Sequence, residues 1–348
     1  MRVGILTGGG DCPGLNAVIR AVVIAGHVRY GYETLGYLDG WRGVLENRAR
    51  LLDPVESAGL LTLGGTVLGT SRTNPFAEDR GAERVIEHLA SAEVDALVAI
   101  GGDDTLGVAN RLWAMGVKAV GVPKTIDNDL SGTEVTFGFQ TAVETATEAI
   151  DRLGTTAESH HRVIVCEVMG RNAGWIATEA GIAGGAAEIL VPEVPFDTAE
   201  VCAKLVKRHQ RGQFFSVVVV AEGALPASAA EATSAAAARG PATDAFGHPR
   251  LGGIGEWLAG ELERRTGYES RSTTLGHIQR GGAPTAFDRV LATRFGVAAV
   301  EAVHDGDFGV MVALRSTTIV RVPLADAVGN PKTVDRQLLD AVAAPFLR

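Results

Sequence analysis

Ala96-Leu97-Val98-Ala99-Ile100-Gly101-Gly102-Asp103-Asp104-Thr105 decides how the rest of the chain is read. Five apolar residues running into Gly-Gly-Asp form the pattern of a parallel strand buried on both faces that stops at a crevice. The pattern soon recurs: Ala119-Val120-Gly121-Val122 runs into Pro123-Lys124-Thr125-Ile126-Asp127-Asn128-Asp129. Open α/β sheets bind ligands beyond such strand ends. Four carboxylates and a lysine delivered there are the equipment for moving a phosphoryl group with a metal.

Outward from this pair, strands and helices alternate. Residues 3–6 predict a strand, 8–14 a glycine-rich turn, and Leu15, Val18, Ile19, Val22 and Val23 a helix. Helices are expected over 82–90, 106–115, 141–153, 199–210 and 254–265, from Trp175, and up to about 303. Further strands are expected at 162–168, 189–191 and 215–221. This alternation predicts an α/β fold with mostly parallel sheets covered by helices on both faces. The Ala-rich stretch 227–240 breaks the pattern and reads as a surface helix or an exposed, mobile insertion.

A chain of 348 residues has ample core for one large or two medium domains. Hydrophobic content of 46% and charged content of 21% fit a soluble globular protein. A net charge of −9 leaves no electrostatic footprint for nucleic acid, so a phosphorylated substrate needs local basic clusters. Cys12, Cys166 and Cys202 are too scattered for a disulfide framework, and Cys12 and Cys166 read as reduced packing residues of a cytoplasmic protein. The amino-terminal apolar run is too short for a signal peptide, and no apolar run reaches membrane-spanning length.

Several loops carry candidate chemistry. The Gly8-Gly9-Gly10 loop lacks the Gly-Lys-Ser/Thr ending of a P-loop and the third glycine of the dinucleotide fingerprint. It offers backbone N–H groups to an anion, or is simply a tight strand–helix turn. Arg72, in a glycine-rich loop, is a cation that gains meaning if it faces the acidic loops. Asp103 suits Mg²⁺, which takes few protein carboxylates and keeps water and phosphate oxygens; the alternative is a helix N-cap. Asp127 and Asp129, beside Thr125, supply a base for an attacking hydroxyl, unless the segment is only an Asx-rich turn. No glycine eases such a turn between 124 and 130. Arg162, Arg171, Arg271 and Arg280, with His277, suggest a phosphate pocket. Glu222 is placed either to accept from sugar hydroxyls or to anchor a loop.

These segments match a family. Thr7-Gly8-Gly9-Gly10-Asp11-Cys12-Pro13-Gly14-Leu15-Asn16, Gly101-Gly102-Asp103-Asp104, the 123–129 loop, Met169-Gly170-Arg171-Asn172-Ala173-Gly174 and Gly276-His277-Ile278-Gln279-Arg280-Gly281-Gly282 occur in order along nearly the whole chain. The chain resembles phosphofructokinases, and within them the actinobacterial-type group that includes pyrophosphate-dependent enzymes. The resemblance implies two three-layer α/β/α domains. A phosphoryl-donor domain would hold 1–138 and about 255–304; a sugar-phosphate domain would hold about 139–254 and 305–348. It implies phosphoryl transfer to the 1-hydroxyl of fructose 6-phosphate, with Asp127 as proton acceptor, Asp129 beside it, and Asp103 on Mg²⁺. Gly10, Arg72 and Gly102 would approach the donor, and Thr125 and Arg171 the transferring group. Met169, Gly170, Arg171, Glu222, Arg271, His277 and Arg280 would hold the sugar phosphate. Arg162 would reach in from a neighbouring subunit, which implies a homodimer or homotetramer.

Asp104 and Lys124 bear on the donor. The resemblance implies glycine at both places in ATP-using bacterial relatives, which leaves room for the nucleotide α-phosphate; ATP-using actinobacterial relatives can also carry a lysine at 124, so Asp104 decides. A carboxylate at 104 opposes that phosphate by bulk and charge, whereas pyrophosphate ends one phosphate earlier and Lys124 can pair with its oxygens. Pyrophosphate is therefore the expected donor; the alternatives are ATP and, in another class, a catalytically silent sugar-phosphate sensor. Gly154 stands where regulated bacterial relatives place an arginine for a nucleotide effector. A NAD or lipid kinase also uses a Gly-Gly-Asp loop, but would not account for the 124–129 or 277–282 segments.

Overall fold

Eleven strands form two sheets among the residues that the computed structural model describes, 1–239 and 251–339. They are β1 (Arg2–Thr7), β2 (Glu33–Tyr37), β3 (Ala49–Leu52), β4 (Ala96–Gly101), β5 (Ala119–Pro123), β6 (Val163–Val168), β7 (Glu188–Leu190), β8 (Ser216–Ala221), β9 (Ser270–Thr274), β10 (Val310–Arg315) and β11 (Thr318–Pro323). No described helix is long and apolar enough to cross a membrane.

The first unit comprises Met1–Ile126, Leu130–Thr141 and Arg280–Pro331. Its sheet runs β11-β10-β5-β4-β1-β2-β3. The inner five strands are parallel, and β3 and β11 join the two edges antiparallel. Leu6, Leu97, Ala99 and Met311 pack on Val85 and Leu89 of the helix Gly81–Ser91 and on Leu106 and Leu112 of the helix Asp103–Ala114. Period-two alternation turns Ile5, Val98 and Ile100 to the other face. The helices Leu15–Tyr30 and Ala286–Asp305 pack together, and a Cβ at Gly296 would sit 2.6 Å from the Cβ of Ala21. Such close packing makes core truncations costly, about 2–5 kcal/mol for Leu→Ala. The strand order reverses between β1 and β4, so the loops leaving those strands part and open a crevice.

The second unit comprises Asp127–Asp129 and the described residues of Ala142–Gln279 and Lys332–Arg348. Its four strands, β7-β8-β6-β9, are all parallel. Val163, Val165, Val218 and Val220 share a core with Leu205 of the helix Thr198–Gln210 and with Leu258 and Leu262 of the helix Ile254–Thr266. Glu167, buried in β6, accepts from the N–H groups of Gly253 and Gly255, the latter at 2.7 Å. A strand carboxylate thereby satisfies the first amides of the helix Ile254–Thr266 and meets the positive end of its dipole.

The expected layering of mostly parallel sheets with helices on both sides is the one that forms. The two units divide the chain at other residues than those expected. β9 pairs with β6, so residues 255–279 belong with the second unit; β10 pairs with β5, so 305–331 belong with the first. Asp127–Asp129 also group with the second unit, away from the strand that delivers them. Strand pairing, invisible in hydropathy, accompanies the first two assignments. The helix begun near 141 spans Phe139–His160, well past 153. The Ala-rich stretch is a helix, Ala229–Arg239, rather than a loose insertion. Ala235 enters the core, Thr198 donates to Glu231 at 2.7 Å, and the Trp257 indole donates to Ser234 at 3.1 Å. Small side chains let this helix lie close, which low complexity concealed; residue 240 lies outside the described residues.

Candidate active site

In the first unit three loops leave neighbouring strand ends. The 8–11 loop follows β1, Gly102, Asp103 and Asp104 follow β4, and Lys124 and Thr125 follow β5. Gly8 N–H donates to Ile100 O at 2.9 Å, Gly9 N–H to Ser71 O at 3.0 Å, and Lys124 N–H to Gly101 O at 3.0 Å. The anion-cradle reading of the glycine loop loses two donors by this, because the Gly8 and Gly9 amides are already engaged. Positive charge comes from side chains instead. The ammonium of buried Lys124 donates to Gly10 O, and Arg280 Nη1 donates to Asp11 O at 3.2 Å. A Cβ at Gly10 would lie 2.6 Å from that guanidinium, so any larger residue there would push the arginine aside. Exposed Arg72 follows Ser71, whose carbonyl holds Gly9.

Neither aspartate after β4 caps its helix. The helix begins at Asp103 itself, and Gly102 occupies the N-cap without a side-chain bond. Both carboxylates lie in the first turn, where the helix dipole favours negative charge. Asp103 is exposed, and its Oδ1 accepts from Gly329 N–H at 2.7 Å. One oxygen so oriented suits an ion that brings its other ligands with it. No described group of three or more His, Cys, Asp or Glu could cage a metal unaided. A single solvent-facing carboxylate fits Mg²⁺ carried on phosphate oxygens and water.

The 125–129 segment turns sharply. Thr125 is buried, and its carbonyl accepts from Thr136 Oγ1 at 2.7 Å. Asp127 and Asn128 are buried, and Asp129 is half-buried. Asn128 takes a left-handed φ of 51°. The missing glycine is thus replaced by asparagine, which tolerates that region better than most residues. Within the second unit, Lys332 Nζ donates to Asn128 Oδ1 at 3.0 Å and Lys332 N–H to Asp129 O at 2.8 Å.

The second sheet carries its candidates at both ends. Met169, Gly170 and Arg171 follow β6, Glu222 follows β8 and His277 follows β9, all at the carboxyl edge. Gly170 has φ 143°, and a Cβ there would meet Ala173 O at 2.4 Å. Arg171, also left-handed at φ 52°, donates its N–H to Glu222 Oε1 at 3.1 Å. Glu222 therefore anchors the loop after β6, one of its two expected roles. Two anchors escaped the sequence reading. Gln279, wholly buried, accepts from Met169 N–H at 3.4 Å and donates to Gly276 O at 3.1 Å. Glu193 accepts from Gly174 N–H at 2.9 Å and from Val334 N–H at 2.9 Å. Its position just past the apolar run 189–191 is the signal that had singled out Glu222.

Arg162 and Arg271 lie at the opposite, amino edge, beside the starts of β6 and β9. Both guanidinium groups reach Glu269 Oε1 at 2.7 Å, and the Arg162 bond holds that carboxyl below its usual range. A six-residue strand, about 20 Å, separates them from Arg171 in the same chain. Arg171 and His277 share the carboxyl edge, Arg162 and Arg271 share the amino edge, and Arg280 sits on the glycine loop of the first unit. All three cysteines are free and buried.

A phosphofructokinase family model matches residues 2–303. A Streptomyces coelicolor protein named pyrophosphate–fructose 6-phosphate 1-phosphotransferase is 58% identical over 347 residues, covering 99% of this chain and 100% of its own length. A second protein of that organism, named ATP-dependent 6-phosphofructokinase 2, is 54% identical over 346 residues, covering 99% and 100%. The crystal structure of Pichia pastoris phosphofructokinase in the T-state superposes with a TM-score of 0.82 at 33% identity over 99% of this chain, which spans 36% of that longer one. The chain belongs to the phosphofructokinase family.

Proposed function

We propose that this protein transfers a phosphoryl group from pyrophosphate to the 1-hydroxyl of fructose 6-phosphate, reversibly, giving fructose 1,6-bisphosphate and phosphate. The observation that carries the donor choice is the presence of Asp104 and buried Lys124 at the ends of adjacent strands β4 and β5. A carboxylate there repels a nucleotide's α-phosphate, and the lysine supplies a cation to the shorter donor. The name of the relative at 58% identity points the same way.

In this reading Asp127 accepts the proton of the attacking hydroxyl, and Asp129 supports it. Thr125 and Arg171 touch the transferring group. Gly10, Arg72 and Gly102 adjoin the donor, as do Asp104 and Lys124. Asp103 would hold Mg²⁺, which neutralises charge on the phosphoryl oxygens when bound. Met169, Gly170, Arg171, Glu222, His277 and Arg280 hold the sugar phosphate. Arg162 serves a neighbouring subunit's site in a homodimer or homotetramer; its place at the amino edge, a strand length from Arg171, supports that role, and Arg271 shares the location. The protein works in the cytoplasm.

Assays of the purified protein with fructose 6-phosphate and each donor test this. Turnover with pyrophosphate and little with ATP is expected; turnover with ATP alone would overturn it. Asp104→Gly should then admit ATP, and no gain would show that the clash is not what excludes the nucleotide. The second reading, an ATP-dependent enzyme that tolerates Asp104, is favoured by the 54% identical relative of that name.

A further inference from the structure

The segment 329–334 follows the last strand of the first sheet, and no motif drew attention to it. Several of its hydrogen bonds go to the acidic loops. Within the first unit Gly329 N–H donates to the Asp103 carboxylate at 2.7 Å. Within the second, Lys332 makes a set of contacts. Its N–H donates to Asp129 O at 2.8 Å and its ammonium to Asn128 Oδ1 at 3.0 Å. Its carbonyl accepts from the Trp175 indole N–H at 3.0 Å, and its ammonium lies 5.2 Å from that ring's centroid. Val334 N–H donates to Glu193, which also holds Gly174. Asn128 is left-handed at φ 51°, and a non-glycine residue in that region persists only where its surroundings hold it. Lys332 grips this turn twice, through side chain and backbone.

We propose that Lys332 is a positioning residue for phosphoryl transfer. It fixes the 127–129 turn and thereby aims Asp127. The proposal rests on the reading of Asp127 as the proton acceptor. A cation with a long flexible stem is suited to this because its charge-assisted bond to the Asn128 amide is stronger than a neutral one. The same residue is tied to Trp175, the first residue of the helix after the 169–174 loop.

The test uses the full chain with Lys332→Met, which keeps both backbone bonds and removes the ammonium, and with Lys332→Arg, which restores a cation. Misplacing a reacting group by about 1 Å costs about 10²-fold, so Lys332→Met should lower kcat about 10- to 100-fold while the KM for fructose 6-phosphate changes less than about threefold. Lys332→Arg should recover most of kcat. Amide exchange over residues 126–130 should accelerate in Lys332→Met, with 163–168 as protected as in the parent. An unchanged kcat beside a loosened 126–130 segment would overturn the proposal, as would unchanged exchange. A loss that also exposes 163–168 and resists Lys332→Arg would mean general damage and would overturn it too. If the parent protein phosphorylates fructose 6-phosphate from neither donor, the functional reading fails, while the exchange arm still decides whether Lys332 holds the turn.

Discussion

In the first sheet the candidates that directly follow strands all leave the carboxyl edge, whereas in the second the candidates lie at both edges. The 8–11 loop, Asp103 and Lys124 follow strands β1, β4 and β5 on one side of a strand-order reversal. In the second sheet Arg171, Glu222 and His277 follow their strands, but Arg162 precedes β6 and Arg271 lies near the start of β9. A residue's nearness to an apolar run does not say which end of the strand it occupies. A carboxyl-edge residue can meet the crevice of its own chain. Arg162 and Arg271, a strand length from Arg171, are the residues on which the proposed neighbouring-subunit role rests.

The largest expected effect tests the chemistry assigned to the carboxyl side. Asp127→Ser removes the proposed proton acceptor and should lower kcat about 10²- to 10⁴-fold with fructose 6-phosphate binding retained. Steady-state rates with binding measured by calorimetry check this; near-normal kcat would move the base elsewhere. The next tests the amino edge. Arg162→Ala should weaken sugar-phosphate binding by about 1.5–3 kcal/mol, the worth of a lost charged hydrogen bond. Arg171→Ala should be defective on its own. If Arg162 works in trans, refolding the two variants together should restore activity that neither parent shows, because one mixed site regains both arginines. Absence of recovery in verified mixed oligomers would return Arg162 to a purely structural bond with Glu269.

The fold class was legible because Ala96–Gly101 and its neighbours are buried on both faces and therefore almost uniformly apolar. β9, with the sequence Ser270-Arg271-Ser272-Thr273-Thr274, carries no such signal and is held by pairing with β6. Backbone hydrogen bonds need no hydrophobic side chain, so a polar edge strand is silent in hydropathy. Asp103, Asp127 and Lys124 stood out in the sequence because they are acids and a cation just beyond apolar runs. Gln279, Glu193 and Lys332 did not, since each acts on a loop distant in sequence. Asn128 shows the same limit locally: lacking a glycine, the loop seemed to have no turn, yet asparagine makes one.

A smaller effect is expected at Gly10, where the first sheet's loop meets Arg280. Gly10→Ala places a methyl group 2.6 Å from Arg280 Nη1. The far end of a flexible side chain can move, so the protein should still fold, with destabilisation at the low end of overpacking, about 1 kcal/mol. The displaced guanidinium should raise the KM for one substrate about tenfold, and the substrate affected tells which pocket Arg280 serves. A rise confined to fructose 6-phosphate supports the sugar-phosphate assignment. A rise confined to the phosphoryl donor would mean that Arg280 acts from the glycine loop on which it lies.

The smallest effect compares the two sheets through their thiols. Burial raises the Cys12 thiol far above its usual range in the first unit and pushes Cys166, in β6, up to about 12. A raised thiol stays protonated at pH 8 and gains reactivity only as pH rises towards its folded value, so labelling at pH 8 requires an opening that exposes the sulfur. Cys202, whose thiol is also raised by burial but which lies nearer solvent, should label first. Between the other two, Cys166 should precede Cys12. β6 is flanked on one side by β9, which brings no apolar side chain, whereas Cys12 packs beneath Gly138 and its Sγ donates to Phe137 O. A tenfold difference in labelling rate would correspond to about 1.4 kcal/mol of opening free energy. Equal rates for Cys12 and Cys166 would mean that the two sheets open in one cooperative step, and faster labelling of Cys12 would reverse the order of their stabilities.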